Sequence, residues 1–214
     1  MMKILDLSTD VFSGMAVFPG DPGVRVERDR GFPEYPYQVT SLHLGSHTGT
    51  HIDAPRHFLP YGAAVPDIGL LSFVGEAICV RPNLRESEGR AIIEWSEAQR
   101  QEIREGDRVI FSTGWEKKAG TPEYFADYPL FSDEWIAFLL EKRPLLIGAD
   151  LPTLAGLGDP FLMHREFFEN QTIFVEGLVR TGELPAGRFF FSAAPLKIEN
   201  GDGSPVRAYA IVDE

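Results

Sequence analysis

Glycine and proline punctuate this chain from end to end, 21 of the first and 16 of the second in 214 residues. Proline removes a backbone donor and fixes φ, and glycine is entropically costly inside regular elements, so both collect at turns. Long helices are therefore excluded, and the chain must fold as many short elements. Between the turns, residues 3–7, 37–45, 73–81, 107–112, 144–149, 172–179, 188–193 and 206–212 have the apolar, β-branched character of strands. In 37–45, Val39, Ser41 and His43 alternate with Thr40, Leu42 and Leu44. Residues 12–23 read as a turn-rich loop. Helical signals are fewer. Residues 94–104 carry helix formers without breakers, and 162–169 suit a short helix. Residues 133–142 follow Ser132, a natural N-cap, with Asp133 and Glu134 where the helix dipole favours them. The expectation is an α/β fold in a single domain, 1–214, with mixed, strand-rich sheets and few helices.

Composition narrows the function. With 43% apolar and 24% charged residues, the chain is globular in character and long enough to bury a core. A net charge of −12 disfavours nucleic acid and anionic lipid as partners. No apolar run is long enough to span a bilayer, and MMKILDLSTD lacks the features of a secretory signal. The single cysteine, Cys79, cannot form an intramolecular disulfide and reads as a small buried hydrophobe. A reducing cytoplasm is the expected location.

Four of the five histidines fall between His43 and His57, and the core of that segment is HTGTHIDAPRH. His47 and His51 are spaced as in a zinc-binding helix, but Gly49 and Pro55 oppose helix there. In an extended backbone side chains alternate, so His47, Gly49, His51 and Asp53 would share one face, with Gly49 leaving room for an ion. Two imidazoles and a carboxylate leave open coordination positions, the pattern of catalytic metal sites. His57 follows as a candidate base. His43, alternating with leucines, reads as a structural strand residue. Glu176 is a carboxylate inside the apolar run TIFVEGLV, and burying it unpaired is costly, so it too asks for a cation. His164, in FLMHREF, reads by itself as an ordinary helix residue. No GxSxG elbow is present, and GLGDP (156–160) lacks the GxGxxG pattern, which argues against serine-nucleophile and dinucleotide chemistry.

HTGTHIDAPRHF resembles the HxGTHxDxPxH signature of the cyclase family, which includes bacterial kynurenine formamidases and isatin hydrolases. VFPGD (17–21), FSTGW (111–115), FVEGL (174–178) and SPVRAYAI (204–211) resemble further motifs of that family, so the similarity spans essentially the whole chain. The resemblance implies a swivelling β/β/α fold and a homodimer or homotetramer. It also implies two divalent metal ions, zinc first and manganese as the alternative. His47, His51 and Asp53 would hold one ion. Asp53 would be shared, His164 would ligate the second ion, and Glu176 would bridge the two. His57 matches the proton-transfer residue.

The implied activity is metal-dependent hydrolysis of a small aryl formamide, N-formyl-L-kynurenine to L-kynurenine and formate. Phe18 stands where formamidases commonly carry tryptophan, which keeps a ring face but loses the indole donor. Isatin-type opening of a cyclic amide or imide is the alternative. A non-catalytic metal-binding member of the fold is a second one, though such a protein has no need of His57. Phe18, Phe58 and Tyr61 are candidate substrate contacts, and each is also readable as packing.

Overall fold

Short strands dominate, as the spacing of glycine and proline requires. The computed structural model describes residues 1–87, 89–94 and 97–213. In chain order they form β1 (Met2–Asp6), β2 (Arg25–Arg30), β3 (Val39–His43), β4 (His51–Asp53), α1 (Leu70–Phe73), β5 (Val74–Val80), β6 (Asn83–Ser87), β7 (Arg90–Glu94), α2 (Glu97–Arg100), β8 (Arg108–Phe111), β9 (Leu130–Phe131), α3 (Asp133–Lys142), β10 (Leu146–Ala149), α4 (Leu162–Glu169), β11 (Ile173–Glu176), β12 (Arg188–Ser192), β13 (Gly203–Pro205) and β14 (Tyr209–Asp213).

Nine strands make one mixed sheet in the order β1-β14-β12-β5-β8-β10-β11-β4-β13. Its centre, β5-β8-β10-β11, is parallel, and the flanking pairs are antiparallel. Every residue of β8, β10 and β11 is buried. Parallel strands covered on both faces need apolar side chains in both directions, which is why RVIF, LIGA and IFVE are near-continuous apolar runs. One face carries a core that includes Leu5, Ile52, Phe73, Val175 and Phe191. The other packs Ile147 and Phe174 against Trp135, Phe138 and Leu139 of α3 and Met163, Phe167 and Phe168 of α4. The fold is thus strand-rich α/β with few helices, as expected from the sequence. No helix of the described residues is long and apolar enough to cross a membrane.

Helix α3 follows its sequence signals closely. The Ser132 side chain accepts a hydrogen bond from the Trp135 amide at 3.4 Å, and the helix closes at Arg143 with φ 46°. The helix expected over 94–104 is corrected. Residues 90–94 are strand β7, paired antiparallel with β6 and parallel with β9, and only the single turn α2 is helical beyond it. Residues 95 and 96 of that stretch lie outside the described residues. Ile92 and Ile93, both β-branched and buried, hold the chain in the sheet up to Glu94, the first residue of that stretch. Strand β3 appears where alternation predicts it, yet all five of its residues are exposed, because its partner is the hairpin strand β2. The strand expected to continue to residue 179 stops at Glu176, since Gly177 has φ +66°.

Candidate metal centre

Strand β4 is three residues long and lies between β11 and β13. Strand periodicity puts His51 and Asp53 on one face and turns Ile52, fully buried, to the other. Antiparallel pairing sets Glu176 opposite His51 and Phe174 opposite Asp53. His164 enters from α4, and its ring lies 5.1 Å from that of Phe174. The extended path expected for residues 47–53 holds only from His51 onward. Gly49 is left-handed, with φ +65°, so His47 approaches from a turn and not along the strand.

Glycine is required in this turn, at Gly49, and opposite it at Gly177, just past the end of β11. A Cβ on Gly177 would lie 2.6 Å from the Gly49 carbonyl oxygen, and Gly177 is itself left-handed. The Thr50 hydroxyl donates to Gly177 O at 2.6 Å and accepts from the Thr9 amide at 2.9 Å, which locks the turn against β11. Gly49 O in turn accepts from His51 Nδ1 at 2.9 Å. That bond places a proton on Nδ1 and leaves Nε2 as the ring atom that faces Asp53 Oδ1 (3.3 Å) and Glu176 Oε2 (3.6 Å), where a proton or a metal ion can sit between them.

The other side chains converge on the same space. His47 Nδ1 is 2.7 Å from Asp53 Oδ1. His164 Nε2 is 3.7 Å from Asp53 Oδ2 and 3.4 Å from Glu176 Oε1. Glu176 Oε1 also accepts from the Leu154 amide at 2.9 Å and the Thr153 hydroxyl at 3.2 Å, so its carboxylate is held in place. Asp53 therefore presents one oxygen to His47 and His51 and the other to His164. Two groups, His47–His51–Asp53 and Asp53–His164–Glu176, each bring their ligand atoms within 4.8 Å of one another and could hold a metal ion.

The electrostatics test that fit. Burial opposes charge on His47, but hydrogen bonds to Asp202 and Asp53 outweigh it and push its pKa up to about 10. His164 is raised to about 9 by Asp53 and Glu176 against its own burial, and His51 is raised by the same carboxylates. Asp53, nearly inaccessible, is nevertheless held well below the usual carboxylate range by the three imidazoles. Buried carboxylates here bind whatever positive charge is present. Protons on imidazoles serve in the metal-free chain, and a divalent ion would displace them, because it needs neutral imidazole and ionised carboxylate. The donor set, imidazole nitrogens and carboxylate oxygens, suits a divalent metal ion. His164 Nδ1 is buried without a hydrogen-bond partner in the described structure, so nothing competes with its Nε2 for the ring's orientation.

A cavity of about 540 Å³ opens on the cluster. His47, His51, Asp53, His57, His164 and Glu176 line it together with Phe18, Phe58, Phe125, Tyr128 and Phe161. His57 stacks on His47, with ring centroids 3.9 Å apart, and burial lowers its pKa. Phe18 meets Phe125 edge-on at 6.1 Å, and Phe58 lies over His164 at 4.5 Å. Tyr61 is not brought to the cavity. It follows Pro60 in a turn closed by Gly62 N on Leu59 O, and its side chain is fully exposed. His43 lies on exposed β3 and is not among the residues that line the cavity. Sequence reasoning missed Phe125, Tyr128 and Phe161, ordinary aromatics whose position depends on loop paths. It also missed Asp202, 155 residues from His47 yet 3.1 Å from its Nε2.

The family model described as "Putative cyclase" matches residues 5–155. The kynurenine formamidase of Salinibacter ruber is 34% identical over 97% of this chain and 96% of its own length. The isatin hydrolase of Roseibium aggregatum is 31% identical over 79% of this chain and 73% of its own. A solved structure described as a potential metal-dependent hydrolase with cyclase activity superposes with a TM-score of 0.79 at 26% identity, covering all of both chains. Sequence motifs, sheet topology and these likenesses agree, and the chain belongs to the cyclase family of metal-dependent hydrolases.

Proposed function

We propose that this hydrolase cleaves the formamide of an N-formylated arylamine, N-formyl-L-kynurenine in the first instance, releasing L-kynurenine and formate. The carrying observation is the cavity: its polar wall is the imidazole–carboxylate cluster, and its other walls are mostly apolar and include the rings of Phe18, Phe58, Phe125, Tyr128 and Phe161. A flat arylamide fits between those rings with its amide toward the cluster. Likeness to a named formamidase over nearly the full chain supports the same reading.

His47, His51 and Asp53 would hold one divalent ion, and His164 and Glu176, with Asp53, a second; zinc is the first ion to test and manganese the next. When bound, such ions supply Lewis acidity, lowering the pKa of water toward about 7 and drawing charge from a carbonyl oxygen. His57 takes the proton from the attacking water and passes it to the departing aniline nitrogen. Its ring lines the cavity and stands against His47, and Asp202 at 3.6 Å is too far to hydrogen-bond it, so its nitrogens are free to exchange a proton. Phe18 and Phe58 orient the aryl ring, and the low polarity they create strengthens every charge interaction at the scissile bond. An aniline leaves more readily than an alkyl amine, which suits a site with one proton carrier.

The chain acts as one domain, and assembly into a homodimer or homotetramer is supported by the exposed apolar residues Phe32, Val39 and Leu42 on and beside the β2–β3 hairpin. The one buried cysteine fits a reducing cytoplasm. Ring opening of a cyclic arylamide is the second reading, favoured by the likeness to isatin hydrolase and by a ring wall that needs no acyclic substrate.

The test is turnover of N-formyl-L-kynurenine by protein reconstituted separately with Zn²⁺ and Mn²⁺, beside isatin. Metal-dependent release of kynurenine with isatin untouched supports the first reading. Isatin opening without kynurenine release transfers the assignment to the second, and inertness to both removes both substrates.

A further inference from the structure

Asp202 belongs to neither candidate metal group that includes Asp53, yet it touches the cluster from behind. Its Oδ2 is 3.1 Å from His47 Nε2, the ring nitrogen opposite the one that faces Asp53. The backbone fixes it there. Asp202 O accepts from the Ala54 amide at 2.8 Å, and the next residue, Gly203, pairs with Asp53 in the β13–β4 ladder. Gly203 leaves the space the imidazole occupies, since a Cβ there would sit 2.6 Å from His47 Cε1. One edge of β13 is thus shaped to the His47 ring, with a carboxylate at its end.

We infer that Asp202 is a positioning residue: it accepts the Nε2 proton of His47, fixes the tautomer with its lone pair on Nδ1, and so aims that nitrogen at the ion shared with His51 and Asp53. This rests on the reading of His47 as a metal ligand. A carboxylate on the far nitrogen of a ligating imidazole sets the ring's orientation and raises its basicity, and loss of such a partner typically weakens metal affinity by about 10- to 100-fold. His47, His57 and Asp202 also bring ligand atoms within 4.8 Å of one another. An ion there would compete for His47 Nε2 and strip the proton that Asp202 holds, leaving an imidazolate between two ions. The simpler arrangement keeps that proton and uses Asp202 as its acceptor.

The experiment is titration of metal-free protein with Zn²⁺ against a chromophoric chelator, without substrate, so it is independent of which amide is cleaved. His47→Ala identifies the binding constant that His47 controls. Asp202→Ala should weaken that same constant by about 10- to 100-fold and leave any other unchanged. Asp202→Asn, which keeps an acceptor oxygen, should recover part of the loss and carries the test if the alanine variant does not fold. Unchanged zinc constants in both Asp202 variants would overturn the assignment, as would equal losses in every constant or a His47→Ala variant that binds zinc like the parent.

Discussion

At the scale of single residues, the cluster separates groups that hold charge from a group that moves it. Asp53 and Glu176 are buried and held by several polar partners, whereas His57 lines the cavity and its nearest carboxylate among the described residues, Asp202, stands 3.6 Å away. His57→Ala should therefore retain its metal and lose turnover by about 10²- to 10⁴-fold, the usual worth of a positioned acid–base group. Elemental analysis beside steady-state rates checks this, and a wild-type rate would remove His57 from the mechanism. Glu176→Ala should act oppositely. It deprives His164 of one of two carboxylates and leaves the Leu154 amide without its acceptor, so metal content should fall first and activity with it. Full occupancy in that variant would take Glu176 out of the ligand set.

Elements explain how such a cluster is held. Strand β4 supplies two of its members in three residues, and two left-handed glycines let the preceding turn press against the end of β11. Gly177→Ala should cost at least about 1 kcal/mol from the positive φ alone. Its Cβ would also displace the Gly49 carbonyl that orients His51, so metal affinity should drop together with the melting temperature. A variant that melts lower but binds zinc normally would show that the turn serves only stability. These elements also mark what could be read in advance. His51 and Asp53 were legible because period-two alternation is local, and Glu176 because a carboxylate in a buried strand is anomalous by itself. His164 and His47 were less so: one is a helix residue without local anomaly, and the other reaches the cluster through a left-handed turn instead of an extended strand. Asp202, 155 residues from His47, and the rings of Phe125, Tyr128 and Phe161 have no local signal, because strand pairing and loop paths bring them in. The helix expected at 94–104 is shortened for a related reason: the pairing of β7 with β6 and β9 holds its first residue, Glu94, in a strand, and only Glu97–Arg100 is helical beyond it.

The whole molecule couples this cluster to its stability through protons. In the metal-free chain His47 titrates at about 10 and His164 at about 9, against about 6.5 when unfolded. Groups raised in this way contribute stability that is fully present below pH 6.5 and is lost as pH climbs through 9 to 10. Asp53 and Asp202, both depressed, contribute above the ordinary carboxylate range and lose that contribution in acid. The metal-free protein should thus melt highest in mildly acidic solution and progressively lower above neutrality. Metal reverses the trend: ions displace the imidazole protons, there are fewer to displace as pH rises, and binding to the folded state alone stabilises it in proportion to the logarithm of affinity. The gain in melting temperature on adding zinc, at constant buffered free Zn²⁺, should therefore be several-fold larger at about pH 8.5 than at about pH 6. Calorimetric scans at the two values check it. A gain independent of pH would mean that zinc displaces no proton from His47, His51 or His164, and the ligand set proposed for both ions would have to be redrawn.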